Sequence, residues 1–127
     1  MHKLILIFLG SGFGGVCRYL LSGWAQRFAN GSFPLGTLTV NVVGCLAIGF
    51  LTAAFAGRYL IREELRIALM IGILGGFTTF STFGLETFAL TNDGQHGLAL
   101  LNVVLSCALG LAAVWLGYRL GETWLGV

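Results

Sequence analysis

Four long apolar segments, separated by short polar stretches, dominate the pattern of the chain. They cover approximately residues 4–21, 35–55, 67–90 and 98–118. A helix needs roughly 20 mostly apolar residues to cross a bilayer, and these segments have about that length. Turn-forming residues mark 30–36 and 91–97, and the charged stretch 56–66 connects the second and third segments. The pattern predicts an all-α membrane protein with four transmembrane helices, forming one domain over residues 1–127.

The composition agrees with lipid as the solvent of this chain. Of its residues, 57% are hydrophobic and only 9% are charged, whereas soluble domains carry about 25% charged residues. The net charge of +2, without a basic cluster among exposed aromatic residues, predicts no nucleic-acid partner. Lys3 and the apolar residues after it resemble a signal peptide, but the apolar segment continues to Leu21. We therefore expect a first helix that is retained.

The third apolar segment is interrupted in its middle. Gly72, Gly75 and Gly76 weaken a helix, and residues 78–83 then interleave hydroxyl groups with phenyl rings. A broken helix exposes backbone carbonyls and amides that hydrocarbon cannot satisfy. Such a break is tolerated only where protein, water or an ion meets these groups. The segment therefore predicts an ion site or an ion path.

Most polar residues inside the four segments are uncharged hydrogen-bond donors. The set is Thr37, Asn41, Thr78, Thr79, Ser81, Thr82, Asn102 and Ser106. Two charged residues, Arg18 and Glu86, lie nearer the ends of their segments. This set lacks the ring of carboxylates that a cation pore often uses, and the rings of Phe80 and Phe83 present positive edges. Together these residues favour a path for an anion.

Two of these residues have a second interpretation. Asn41 either makes an interhelical hydrogen bond, worth about 0.6 kcal/mol on average, or donates its amide to an ion. Arg18 either extends towards the lipid headgroups or supplies positive charge to a vestibule that attracts anions. A guanidinium at membrane depth usually faces protein or water, and residue spacing leaves both alternatives open.

The sequence does not favour catalysis. His2 and His96 lie near the terminus and in a turn, so no Ser–His or Cys–His pair is available within a segment. Cys17, Cys45 and Cys107 form no Cys-x-x-Cys pair and are expected to be small buried side chains. We therefore predict that the chain is not an enzyme and has no metal site built from side chains.

Three motifs carry a resemblance to a known family. The first is Gly14-Gly15-x-x-Arg18-Tyr19, and the second is Gly36-Thr37-Leu38-x-Val40-Asn41-x-x-Gly44. The third, which is highly specific, is Gly72-x-x-Gly75-Gly76-x-Thr78-Thr79-Phe80-Ser81-Thr82-Phe83. Together they resemble the Fluc family of bacterial fluoride channels, also called CrcB. The likeness in length, number of spans and motif order covers essentially the whole chain, although the fourth segment matches weakly.

The resemblance implies an antiparallel, dual-topology homodimer in the bacterial inner membrane, with two pores through which fluoride leaves the cytoplasm passively. It implies a break in the third helix and a structural sodium ion at the dimer centre, held by the backbone carbonyls of Gly75 and Thr78. The implied fluoride path is lined by Phe80, Phe83, Thr37, Asn41, Ser81, Thr82 and Ser106. Arg18 and Glu86 are assigned to a vestibule.

Two other functions stay open. A small four-span, proton-coupled exporter of cationic drugs needs a deep carboxylate, for which Glu86 is the one candidate. A membrane subunit that transports nothing would use its glycine faces only to bind a partner.

The basic residues are distributed less evenly between the two sides of the membrane than dual topology predicts. If the spans alternate, Arg27 lies on one side of the membrane, and the other side holds Lys3, Arg58, Arg62, Arg66 and Arg119. By the positive-inside rule, this distribution favours cytoplasmic termini.

Overall fold

A computed structural model describes residues 1–56 and 62–126, and every regular element within these ranges is a helix. Helix α1 covers His2–Gln26, and α2 covers Leu35–Ala56. The last helix, α6, covers His96–Leu125. These three helices are continuous over their whole length.

The third span is built from several pieces. It begins with α3, Glu63–Ile67, and continues through a π-helical segment, Ala68–Ile73, into α4, Leu74–Phe77. Helix α5, Phe80–Asn92, follows after two residues of extended backbone. Counted together as Glu63–Asn92, this span is one of four helices that are long and apolar enough to cross a membrane. The prediction of four long apolar helices is confirmed, and the third of them is bent.

The break lies just after the glycines. Gly72 belongs to the π-helical segment, and Gly75 and Gly76 belong to α4. The chain leaves the helical conformation at Thr78, with φ −84° and ψ 157°, and at Thr79, with φ −150° and ψ 115°. The glycines therefore do not form the break, and one of them has a packing role: a Cβ on Gly76 would collide with the carbonyl of Ser11 in α1.

Close backbone contacts at glycines join the helices in two pairs. Helix α1 packs against the π-helical segment and α4, where a Cβ on Gly14 would collide with the carbonyl of Ile73. Helix α2 packs along α6, where a Cβ on Gly117 would collide with the carbonyl of Leu46. Glycines of α1 and α6 therefore allow neighbouring helices to approach closely.

Three local predictions have separate outcomes. His96 was expected in a turn, but it is the first residue of α6 and remains exposed. Cys107 was expected to be buried, but it is exposed, because it lies on a face of α6 that no other part of the described chain covers. Arg58, assigned to the charged connection, lies outside the described residues.

Candidate ion pathway at the break of the third span

Asn41 holds the break through two hydrogen bonds to one residue. The backbone N–H of Thr79 donates to Asn41 Oδ1 at 2.8 Å, and Asn41 Nδ2 donates to the carbonyl of Thr79 at 2.9 Å. The side chain thus replaces the helical partners that Thr79 lacks in extended backbone. Of the two interpretations of Asn41, the interhelical hydrogen bond is confirmed. The amide carries two N–H hydrogens and this contact uses one of them, so a role as donor to an ion stays a prediction.

Thr79 also begins the next helix. Its hydroxyl oxygen accepts a hydrogen bond from the N–H of Thr82 at 3.2 Å and lies 2.9 Å from the hydroxyl of Thr82. This N-cap satisfies one of the free N–H groups at the start of α5. The remaining N–H groups and the helix dipole give this end partial positive charge, which favours an anion close to the break.

The two carbonyls assigned to sodium have different surroundings. In a continuous α-helix, the N–H of Thr79 would donate to the carbonyl of Gly75, but it donates to Asn41 instead. The Gly75 carbonyl is thereby released from that helical bond. The carbonyl of Thr78 accepts a long hydrogen bond of 3.4 Å from Arg18 Nη1.

Arg18 is directed towards the third span. Its side chain is half-buried, and its guanidinium reaches the carbonyl of Thr78 across the contact between α1 and the third span. This geometry favours the vestibule over the alternative in which the side chain extends to the headgroups.

Two cavities meet at the break. The first, of about 780 Å³, is lined by residues that include Arg18, Arg27, Thr37, Thr82 and Glu86. The second, of about 390 Å³, is lined by residues that include Asn41, Gly75, Thr78, Phe80, Phe83 and Ser106. Thr79 lines both cavities. Thr79, which Asn41 holds in extended conformation, therefore lies between the cavity that contains Arg18, Arg27 and Glu86 and the cavity that contains Phe80 and Phe83.

Phe80 and Phe83 lie side by side at the second cavity. Their ring centroids are 5.5 Å apart, and the ring planes are tilted by 44°. Helical spacing separates the two positions by about 60° around the axis. Phe83 is partly buried, whereas the side chain of Phe80 is 83% exposed on the surface of the single chain.

Glu86 faces the first cavity from the middle of α5. Its Oε1 accepts a hydrogen bond of 2.7 Å from the hydroxyl of Thr37, which is itself buried. Its Oε2 is buried and has no hydrogen-bond partner among residues 1–56 and 62–126. The structure thus brings Thr37 and Glu86 together, a contact that residue spacing did not reveal because they lie on different helices.

The remaining candidates are divided between the surface and α6. Ser81 and Thr82 are exposed on the single chain, and Ser81 lies 3.4 Å from the hydroxyl of Thr79. Ser106 lines the second cavity and donates to Asn102 Oδ1 over 3.4 Å. Asn102 is buried within the contact between α5 and α6.

Comparison with known proteins gives a consistent result. Residues 5–118 match the family model described as CrcB-like protein, Camphor Resistance (CrcB). A protein of Geobacter metallireducens, named fluoride-specific ion channel FluC, is 49% identical over 117 residues, covering 92% of this chain and 94% of its own. Proteins with the same name from Methylobacillus flagellatus and Nitratidesulfovibrio vulgaris are 42% and 45% identical, and each alignment covers at least 94% of both chains.

We predict that Asn41→Leu loosens the break while the helices stay formed. The substitution leaves the N–H and carbonyl of the buried Thr79 without partners, at a cost of about 1–3 kcal/mol for each group. Exchange of the Thr79 amide hydrogen, measured by NMR in detergent micelles, should accelerate by about tenfold or more.

Thr39→Val serves as the matched control, because the Thr39 hydroxyl donates to the carbonyl of Leu35 in its own helix. This variant should leave exchange at Thr79 unchanged. Equal protection of the Thr79 amide in wild type and Asn41→Leu would contradict the role given to Asn41.

Proposed function

Since the chain belongs to the CrcB family, we propose that it is a fluoride-selective channel through which fluoride leaves the bacterial cytoplasm passively across the inner membrane. As a member of an ion-channel family the chain is not an enzyme, in agreement with the prediction from its sequence. The proton-coupled drug exporter is not favoured, because the relatives are named as ion channels.

The observation that carries this proposal is the set of donors around Thr79. Amide, hydroxyl and helix N-terminal groups converge where the two cavities meet, and the rings of Phe80 and Phe83 line the second cavity. Fluoride is a strong hydrogen-bond acceptor, so these groups suit it, and binding by several weak contacts permits conduction. The names of the relatives are what select fluoride among anions.

The proposed path runs from the larger cavity to the smaller one. Arg18 and Glu86 belong to the vestibule. Thr37, whose hydroxyl donates to Glu86, lines the path from α2, and Thr82 and Ser81 supply hydroxyl groups at the start of α5. Asn41, Phe80, Phe83 and Ser106 form the aromatic end of the path. Neutral HF that enters from an acidic medium ionises in the cytoplasm, and the fluoride anion would leave passively along its electrochemical gradient.

A second copy of the chain completes the proposal. Ser81 and Thr82 are exposed in the middle of an apolar span, and polar side chains within a span usually face protein or a water-filled cavity. Phe80 is exposed beside them. We propose that these residues face a partner copy in an antiparallel, dual-topology homodimer with two pores, as the family resemblance implies. If the spans alternate, most basic residues, among them Lys3 and Arg66, lie on one side of the membrane. The positive-inside rule favours one orientation for such a chain, and a dual-topology dimer must tolerate this uneven distribution.

We further propose a structural sodium ion at the dimer centre, held by the carbonyls of Gly75 and Thr78 from both copies. Unwound backbone carbonyls are suitable ligands for sodium in membrane proteins. The residues fit such an ion: the Gly75 carbonyl lacks its usual helical donor, and the Thr78 carbonyl accepts one long hydrogen bond of 3.4 Å from Arg18. The positive charge of the ion would attract the carbonyl oxygens at the break of each copy and so hold the two copies together.

Efflux from reconstituted vesicles tests the proposed function. Purified protein in vesicles loaded with fluoride should release it once a potassium ionophore balances the charge. The efflux should not change when a proton gradient is imposed. Proton-coupled uptake of a cationic drug, or no flux of any kind, would contradict the proposal.

Phe80→Ile and Phe83→Ile should each lower fluoride efflux by about tenfold or more, because isoleucine keeps apolar bulk but lacks the positive ring edge. Phe88→Ile is the matched control, since Phe88 lies on the same helix and its side chain is 67% exposed, outside both cavity linings. It should conduct like wild type. Wild-type efflux in both the Phe80 and the Phe83 variants would exclude the aromatic role.

Sodium should raise the midpoint of thermal unfolding of the purified protein, because an ion that binds only the folded dimer stabilises it by mass action. The comparison uses sodium chloride and N-methylglucamine chloride at equal ionic strength. Identical midpoints in the two salts would count against the sodium site without affecting the fluoride path.

A further inference from the structure

We propose that Asn102 is a positioning residue, which orients the fluoride path by fixing the direction of a hydrogen-bond chain from Ser106 to the carbonyl of Phe83. Asn102 lines neither of the two cavities described above. The inference rests on the proposed function, because it concerns how two residues of that path are held.

The burial of Asn102 requires both ends of its amide to be bonded. Its side chain is only 1% exposed, and it is one of the two largest fully buried side chains of the described protein. A buried amide without partners is costly. Its Nδ2 donates to Thr87 Oγ1 at 2.9 Å, and its Oδ1 accepts from the hydroxyl of Ser106 at 3.4 Å.

The hydrogen available to each group fixes the direction of the chain. The hydroxyl of Thr87 donates to the carbonyl of Phe83 at 2.8 Å. Because a hydroxyl has one hydrogen, Thr87 can only accept from Asn102. Asn102 must therefore turn its NH₂ group towards Thr87 and its oxygen towards Ser106, and an amide oxygen can only accept. Ser106 is left as the donor at the end of the chain.

The hydrogen-bond chain acts on α5, the helix that carries Phe80 and Phe83. Helix α5 begins at the break and packs chiefly on α6, so it is not held by a continuous helix on its N-terminal side. Among the described residues, the bond from Asn102 to Thr87 is the side-chain hydrogen bond that joins α5 to α6. Thr87 lies one turn after Phe83 and holds its carbonyl, so this link sets the rotation of α5 and the position of the Phe83 ring.

The same hydrogen-bond chain determines how the hydroxyl group of Ser106 is oriented towards an ion. Its hydrogen points to Asn102 over 3.4 Å, and Ser106 lines the cavity that it shares with Phe83. A bond of 3.4 Å is weak, and a fluoride ion in this cavity can draw the hydrogen away at little cost. The hydroxyl of Ser106 thus donates to fluoride when the ion is present and to Asn102 when the ion has left.

Variants of Asn102 and Thr87, assayed by fluoride efflux, test this inference. Asn102→Leu and Thr87→Val keep similar shapes but remove the link, and each should lower efflux by about tenfold, the effect expected when one buried hydrogen bond is lost. Thr87→Ser keeps the hydroxyl and should conduct like wild type. Thr91→Val is the matched control, because the Thr91 hydroxyl donates to the carbonyl of Thr87 on the same helix but is exposed.

The double variant Asn102→Leu with Thr87→Val separates a shared role from two separate ones. If Asn102 acts through Thr87, the double variant should conduct no worse than Asn102→Leu alone. A loss equal to the product of the two single losses would overturn the inference. So would wild-type efflux in Thr87→Val, or an equal loss in Thr87→Ser and Thr87→Val.

Gel filtration and thermal unfolding show whether each variant is folded. If Asn102→Leu does not fold, the comparison of Thr87→Val with Thr87→Ser and Thr91→Val decides the question alone. Failure of the proposed function has a different result, because the wild-type protein would then show no fluoride efflux.

Discussion

The structure depends on how the backbone polar groups of an interrupted helix find hydrogen-bond partners inside the membrane. Two residues of extended backbone at Thr78 and Thr79 leave polar groups without helical partners, and hydrocarbon offers none. Asn41 bonds both backbone groups of Thr79, Thr79 caps α5, and Arg18 reaches the carbonyl of Thr78. The close glycine contacts of α1 and α6 then bring the helices near enough for these side chains to reach the break.

The break also gives each part of the site its chemistry. Extended backbone releases the Gly75 carbonyl, which suits a cation, while the new start of α5 presents N–H groups and hydroxyls, which suit an anion. The proposed sodium ion and the proposed fluoride path can therefore lie next to each other without sharing ligands. On this account, the static cation stabilises the break, and the mobile anion passes beside it.

The sequence was most informative about the spans and least informative about contacts between them. Apolar length alone predicted the four helices, because each must cover the same hydrocarbon thickness. The glycines predicted a break, but its position at Thr78 depends on Asn41, a partner 38 residues from Thr79 in sequence. The π-helical segment, the pair of Thr37 with Glu86 and the link from Asn102 to Thr87 were not predicted. Each depends on how two helices rotate against each other, which periodicity does not specify.

The reversal potential of single-channel or macroscopic current in a planar bilayer tests the central claim most directly. With a tenfold fluoride gradient and symmetrical pH, a passive fluoride channel should reverse about 59 mV from zero, at the equilibrium potential for a monovalent anion. The potential should stay there when a pH gradient is added. A reversal potential that moves with the pH gradient, or one that follows the other anion present, would contradict the account.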